Sequence, residues 1–171
     1  MTYINRIDRR RAEIVISRRA DMIYRLAFSL VKNRHDAMDV FQGVALKYIA
    51  ASPIFNGDEH EKAWFIRTTV NTCKSFWRAL RRSGHISYEG YVEENGEFGE
   101  VGEVDKGDIE TLDAIFSLPH KLRTTIYLHY YEGYSVREMA EILRASESAI
   151  KSRLARGRKK LAVLLGDSEE L

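Results

Sequence analysis

Between residues 83 and 116 the chain carries ten acidic side chains against one basic one, Lys106, in a stretch studded with glycine and poor in aliphatic residues. Such a stretch cannot bury enough apolar surface to order itself, so it divides whatever folds on either side into two small bodies. Both flanks are basic, with 16 Lys and Arg against 8 Asp and Glu over residues 1–82, and 10 against 7 over residues 117–171. The formal net charge of +2 conceals this division. Basic modules suit a polyanion partner, and an acidic connector is repelled by that same partner. A solvated connector with no role beyond solubility is the alternative reading of the stretch itself.

Within the flanks, apolar residues recur at helical spacing and only two prolines interrupt 171 residues, so the fold class expected is all-α. Ile23, Leu26, Ala27, Leu30 and Val31 define a helix over Ser17–Lys32 that stops at Asn33. Asp36 is the expected N-cap of a second helix in which Ala37, Val40, Phe41, Val44 and Tyr48 share the buried face, while Asp39, Gln42 and Gly43 face outward. A polar loop, residues 53–61, leads to a third helix over Lys62–Arg82 that buries Ala63, Ile66, Val70, Cys73, Trp77 and Leu80. Its opposite face carries Arg67, Asn71, Lys74, Arg78 and Arg81, a cationic stripe with one amide inside it. Such a stripe suits a phosphate backbone, the amide can read a base edge, and Trp64, Phe65 and Phe76 offer stacking surface. Trp77 reads as core.

Beyond the connector, Pro119 opens a helix whose expected buried stripe is Leu122, Ile126 and Tyr130. Ser135 and Glu138 have the spacing of a capping box at the start of a short helix with Val136, Met139, Ala140 and Leu143 inward. A turn at Arg144-Ala145 leads to Ser146 as N-cap of a further helix with Ile150, Leu154, Leu161 and Leu165 on its apolar face. Two short helices across a tight turn, with the small Ala140 at the crossing, spell a helix-turn-helix. The outer face of the second helix carries Lys151, Ser152, Ala155, Arg156 and Lys159, a composition suited to the major groove of duplex DNA.

The stretch 118–165 strongly resembles region 4 of bacterial sigma factors, and residues 34–49 followed by 62–82 resemble their region 2. The order of the two and the missing intermediate domain resemble the extracytoplasmic-function (ECF) group. The resemblance implies a region 2 domain over residues 1–82, an acidic linker over 83–111 and a region 4 domain over 112–171. It implies that Asp36, Asp39, Val40, Gln42 and Leu46 dock on core RNA polymerase, and that Arg67, Asn71, Lys74 and Arg78 engage the minus-ten element. The loop around Phe55 to Glu61 corresponds to the segment that captures a base flipped from the non-template strand. Lys151, Ser152, Ala155 and Arg156 match positions that read the minus-thirty-five element as duplex. Partners implied are core polymerase, promoter DNA and an anti-sigma factor, with the protein cytoplasmic and tethered to a membrane only through such a partner. No apolar run approaches the roughly 20 residues a bilayer span needs.

Departures from the family pattern are Met38 and Gly43, where the docking helix is commonly acidic, Ser75, where aspartate is common, and Arg144, at a turn position often held by glycine. The last is expected to alter the turn slightly. Neither cofactor, metal nor small-molecule substrate is expected. Cys73 is the single cysteine and the five histidines form no ligand-spaced cluster with it. No nucleotide-binding glycine loop, catalytic carboxylate pair or nucleophile motif supports an enzyme. Two other readings stay open at this point: a DNA-binding regulator that acts without polymerase, and a sigma-like auxiliary subunit that needs a second polypeptide for promoter contacts.

Overall fold

The computed structural model describes residues 9–83 and 106–166, all of whose regular structure is helical. The chain divides into two compact units, Met1–Gly96 and Glu97–Leu171. Among the described residues no helix is long and apolar enough to cross a membrane.

The first unit contains α1 (Arg9–Val31), α2 (Arg34–Ala51) and α3 (Asp58–Arg82), each packed on the other two. Helix α1 starts eight residues earlier than its apolar spacing predicts, because Ala12, Val15 and Arg19 are also buried and extend its inner face by two turns. The turn into α2 places Lys32 in the left-handed region at φ 62°. Asn33 then caps α2, its side-chain oxygen accepting from the backbone N–H of His35 at 2.8 Å and of Asp36 at 3.1 Å. The cap is therefore Asn33, not Asp36, which falls in the first turn of the helix.

Helix α3 begins at Asp58, so residues 58–61 belong to its first turn and not to a loop. The reason is an ion network reaching across the unit. Glu61 is 6% exposed and accepts from Arg18 Nη2 at 2.7 and 2.8 Å and from Arg19 Nε at 2.8 Å, while Arg19 also bonds Asp58. Burial alone would lower the pKa of Arg19, but its bonds to Glu61 and Asp58 raise it above the usual value. At the far end of the unit, Trp77 is 6% exposed and donates its indole N–H to the carbonyl of Leu30 at 3.0 Å. That carbonyl lies in the last turn of α1, where intrahelical partners run out. Trp77 is thus core, while Ala63 and Leu80 are only half-buried and Phe65 and Thr69 take fully buried places.

The second unit contains α4 (Lys106–Ser117), α5 (His120–Tyr130), α6 (Val136–Leu143) and α7 (Glu147–Leu164). Helix α4 begins inside the expected linker, which shortens that segment at its C-terminal end; residues 84–105 lie outside the described residues. Adding a turn to a helix already anchored through Ala114, Ile115 and Phe116 needs no new nucleus. Helix α5 is buried almost all round from Leu122 to Leu128. Its buried hydroxyls are satisfied locally, Thr124 donating to the His120 carbonyl and Thr125 to that of Lys121, both at 2.8 Å. The expected stripe fails at Tyr130, which is 55% exposed with its hydroxyl toward Arg158; Tyr127 takes the buried position instead.

Helices α5 and α7 meet at Gly157. A Cβ there would lie 2.8 Å from Cγ1 and 3.0 Å from Cδ1 of Ile126, so only glycine permits this approach. On the α7 apolar face Ile150 and Leu154 are buried, Leu161 is half-buried, and Leu165 is exposed just past the helix end.

Candidate nucleic-acid interface

The presentation of α7 depends on its caps. The capping box forms as the sequence predicts: Glu138 N–H donates to Ser135 Oγ at 3.3 Å, and Ser135 N–H to Glu138 Oε2 at 2.8 Å. These bonds hold the Glu138 carboxyl below the usual carboxylate range, the Ser135 side chain contributing most. Helix α6 buries Met139 and Ala140 as expected, and Ile142 as well, with Val136 and Leu143 half-buried. It ends in two bonds, from the Arg144 N–H to the Glu141 carbonyl at 3.4 Å and from the Ala145 N–H to the Ala140 carbonyl at 3.0 Å. This is the Schellman pattern, which needs a left-handed residue at its hinge. Arg144 supplies it at φ 50°, ψ 53°, so the turn keeps its geometry and the side chain carries the strain, about 1–2 kcal/mol relative to a right-handed conformation. Ser146 then caps α7, accepting from the Ala149 N–H at 3.1 Å.

On the helix so presented, Lys151, Ser152, Ala155 and Arg156 are all exposed on one face. Arg156 Nη2 donates to Ser152 Oγ at 2.9 Å, which folds the guanidinium along the helix and ties the two side chains together. A cleft of about 500 Å³ opens beside them, with Lys121 of α5 on its far wall and Ser146, Ser148 and Arg153 within it. Hydroxyl donors and guanidinium groups facing one cleft form a natural phosphate environment. Lys121 belongs to a different helix from the basic run, so spacing along α7 gives no sign of it.

In the first unit, Asn71, Lys74, Arg78 and Arg81 are exposed along α3 and Arg67 is half-buried. Asn71 also lines a cleft of about 530 Å³ between α2 and α3, together with Lys47, Ala50, Ala51, Trp64 and Thr68. Lys47 is held there by its Nζ donating to Thr72 Oγ1 at 2.8 Å. It was not legible in the sequence, because its place opposite Asn71 is set by how α2 packs on α3. The aromatic groups divide in two. Phe65 and Trp77 are core, while Trp64 and Phe55 are half-buried at the mouth of the unit. Phe55 stacks on Tyr48 at 6.2 Å between ring centres and meets Trp64 at 6.0 Å and His60 at 5.5 Å edge-on. The segment before α3 is thereby anchored on rings, and its expected last residue, Glu61, is committed to the ion network.

The expected polymerase-docking residues also separate. Asp39, Gln42 and Leu46 are exposed, Leu46 at 66%. Val40 is 2% exposed and faces the core, so it supports the helix from behind and its side chain is not available to a partner. Asp36 is half-buried, and burial first, then the neighbouring Asp39, raises its pKa against a smaller opposing effect of His35. Gly43 is turned toward α3, with Thr72 Cγ2 at 3.5 Å from where a Cβ would sit, and does not face solvent as the spacing suggests. The outward face instead includes Met38 and Ile49, 45% and 46% exposed. Among the described residues no cluster of three or more His, Cys, Asp or Glu is placed to hold a metal.

Comparison with known proteins is consistent across both units. Residues 15–83 match the family described as Sigma-70 region 2, and residues 109–161 match Sigma-70, region 4. The chain is 32% identical over 143 residues to RNA polymerase sigma factor SigV of Bacillus subtilis, covering 83% of each. It is 29% identical over 164 residues to the ECF RNA polymerase sigma-E factor of Haemophilus influenzae, covering 88% of this chain and 85% of that one. Its fold is similar to the sigma factor RpoE solved with the anti-sigma factor NepR from Bartonella quintana, at TM-score 0.63 and 23% identity over 94% of this chain and 97% of that one. It is similar also to CnrH solved with the cytosolic domain of CnrY, at TM-score 0.64 and 22% identity over 95% and 92%.

Proposed function

The chain belongs to the ECF group of sigma-70 factors, non-enzymatic proteins that direct promoter-specific transcription initiation by RNA polymerase, and from that premise we propose how its two units divide the work. The region 2 unit, residues 1–82, docks on core polymerase and captures the melted minus-ten element. The region 4 unit, from the start of α4 at Lys106 onward, reads the minus-thirty-five element as duplex. The acidic segment between them links the two.

The observation that carries this reading is the position of Asn71, which stands within the cationic stripe of α3 and opens into the cleft walled by Lys47 and Trp64. The stripe of Arg67, Lys74 and Arg78 tracks a phosphate backbone, and the cleft has the groups to hold one extruded base: an indole wall for stacking, an amide for its edge and an ammonium for an acceptor. Capture of an extruded base offsets the few kcal/mol that unstacking costs, so melting follows from binding without any chemical step. Lys47 joins the base-reading residues on this account. On α7, Lys151 and Arg156 supply base-edge and phosphate contacts, and Ser152 and Ala155 allow close approach to the groove.

Docking on the core uses Asp39, Gln42 and Leu46, with Asp36 at the edge and Met38 and Ile49 adding apolar area. Regulation by an anti-sigma factor is proposed from the likeness in fold to the sigma factor RpoE, which was solved with one. The protein acts in the cytoplasm, where polymerase and promoter are. The test is a double dissociation. Arg156→Ala is expected to weaken binding to promoter duplex while co-elution with core polymerase is kept, and a double variant, Asp39→Ala with Gln42→Ala, is expected to do the reverse. Loss of both properties in either variant, in a folded protein, contradicts the division of labour.

A further inference from the structure

Arg144 is exposed and stands in the left-handed position of the Schellman turn, where a glycine carries no strain. Its backbone does the work of the turn, since the N–H makes the closing bond and any residue except proline has one. The side chain contributes nothing visible to the fold: among the described residues its guanidinium has no hydrogen-bond or ion-pair partner. The neighbouring cation on α6, Arg137, is paired with Glu141 at 3.6 Å, so the helix surface supplies carboxylates that Arg144 does not use. Two residues on, Ser146 caps the helix that presents Lys151 and Arg156. A strained residue whose side chain is unused in the free protein points to a partner outside it.

We propose that Arg144 is a phosphate-contacting residue of the region 4 unit, pinning the DNA backbone beside the base pairs that α7 reads. The proposal rests on the duplex-reading role given to α7. A phosphate contact carries no sequence information, so its loss weakens specific and non-specific duplex binding by the same factor and removes about one unit from the salt slope. A guanidinium that merely neutralised the α6 C-terminus would change stability and leave that slope alone.

The experiment uses the full chain and two duplexes, one a promoter fragment that the protein selects from genomic DNA and one of scrambled sequence. Affinity is measured by fluorescence anisotropy across a salt series, and melting temperature is recorded for each free protein. Arg144→Gly is expected to melt no lower than the parent, to bind both duplexes about three- to tenfold more weakly near physiological salt, and to show a salt slope reduced by about 0.9. Arg144→Asn, which tolerates the left-handed conformation, is expected to match it, and Arg144→Lys to retain most of the parent slope. Unchanged affinity and slope in Arg144→Gly, with Arg156→Ala still weakening the promoter duplex, overturns the proposal alone. Unchanged binding in both variants overturns it together with the duplex-reading role of α7.

Discussion

The two units hold the helices proposed to face DNA, α3 and α7, by different means. In the region 4 unit the constraint on α7 is local: a capping box at Ser135, a left-handed residue at Arg144 and an N-cap at Ser146, all within twelve residues. In the region 2 unit the constraint on α3 is long-range. Its N-cap is Gly57, with no side-chain bond, and its first turn is fixed by Arg18 and Arg19 from a helix some 40 residues away. Local devices add about 1 kcal/mol each and fail independently. A network with a buried ion pair is different, because losing one member leaves the buried Arg19 or Glu61 short of a partner, while Arg18 and Asp58 at its rim still meet water.

The sharpest way to break this contrast is Glu61→Gln. It leaves the buried Arg19 with only the half-exposed Asp58 as counter-charge, and the loss expected is about 3 kcal/mol, read as a lower urea midpoint for the unit that contains α3. A loss below about 1 kcal/mol would mean that the network is ornamental and the two units are held alike. The next contrast uses the same substitution in both units. Gly157→Ala must push Ile126 away from a 2.8 Å contact and is expected to cost about 1–3 kcal/mol of region 4 stability. Gly43→Ala meets only an ordinary 3.5 Å contact with Thr72 in a helix interior, so it is expected to stabilise by up to about 1 kcal/mol. Thermal melts of the two variants in opposite directions would support the packing described for both.

Acid gives the smallest effect and a further test. Hydrogen bonds from Arg19 first, then Lys62, hold Asp58 below its ordinary value, and Ser135 does the same for Glu138. Each contribution is therefore present above the ordinary carboxylate range and is lost as pH falls through the depressed folded value. Asp36 has the opposite sign, since burial raises it and protonation on acidification relieves the fold. A melting-temperature profile from about pH 6 down to about pH 3 should thus fall, less steeply in Asp58→Asn and more steeply in Asp36→Asn.

The same contrast explains what could be read in the sequence. In the region 4 unit the caps at Ser135 and Ser146 and the exposed Lys151 and Arg156 were legible, because caps and outer face are written in consecutive positions, whereas Arg144, expected to alter the turn, keeps its geometry. In the region 2 unit the helices and the stripe through Asn71 were legible, but the bounds of α1 and α3 were not. Glu61 reads as a loop residue until Arg19 is brought against it, and an arginine at a core position breaks the apolar pattern. Val40, expected to dock, faces inward, since its apolar character fits both a core and an interface. Lys47 carries no sign of its role in the sequence, because only the packing of α2 on α3 sets it opposite Asn71. Gly157 gives no sign in the sequence of its close approach, because the partner, Ile126, lies in another helix.

The central claim is that the two units read two separate promoter elements on behalf of polymerase. Its most direct test is in-vitro transcription with purified bacterial core polymerase on a pooled genomic promoter library, with start sites mapped by sequencing. Wild-type protein is compared with Asn71→Ala and Arg156→Ala. The account predicts protein-dependent starts that share two spaced upstream motifs, with Asn71→Ala relaxing selection at the motif nearer the start and Arg156→Ala at the farther one. Protein-dependent starts that share a single motif, or two variants that relax the same motif, would contradict it.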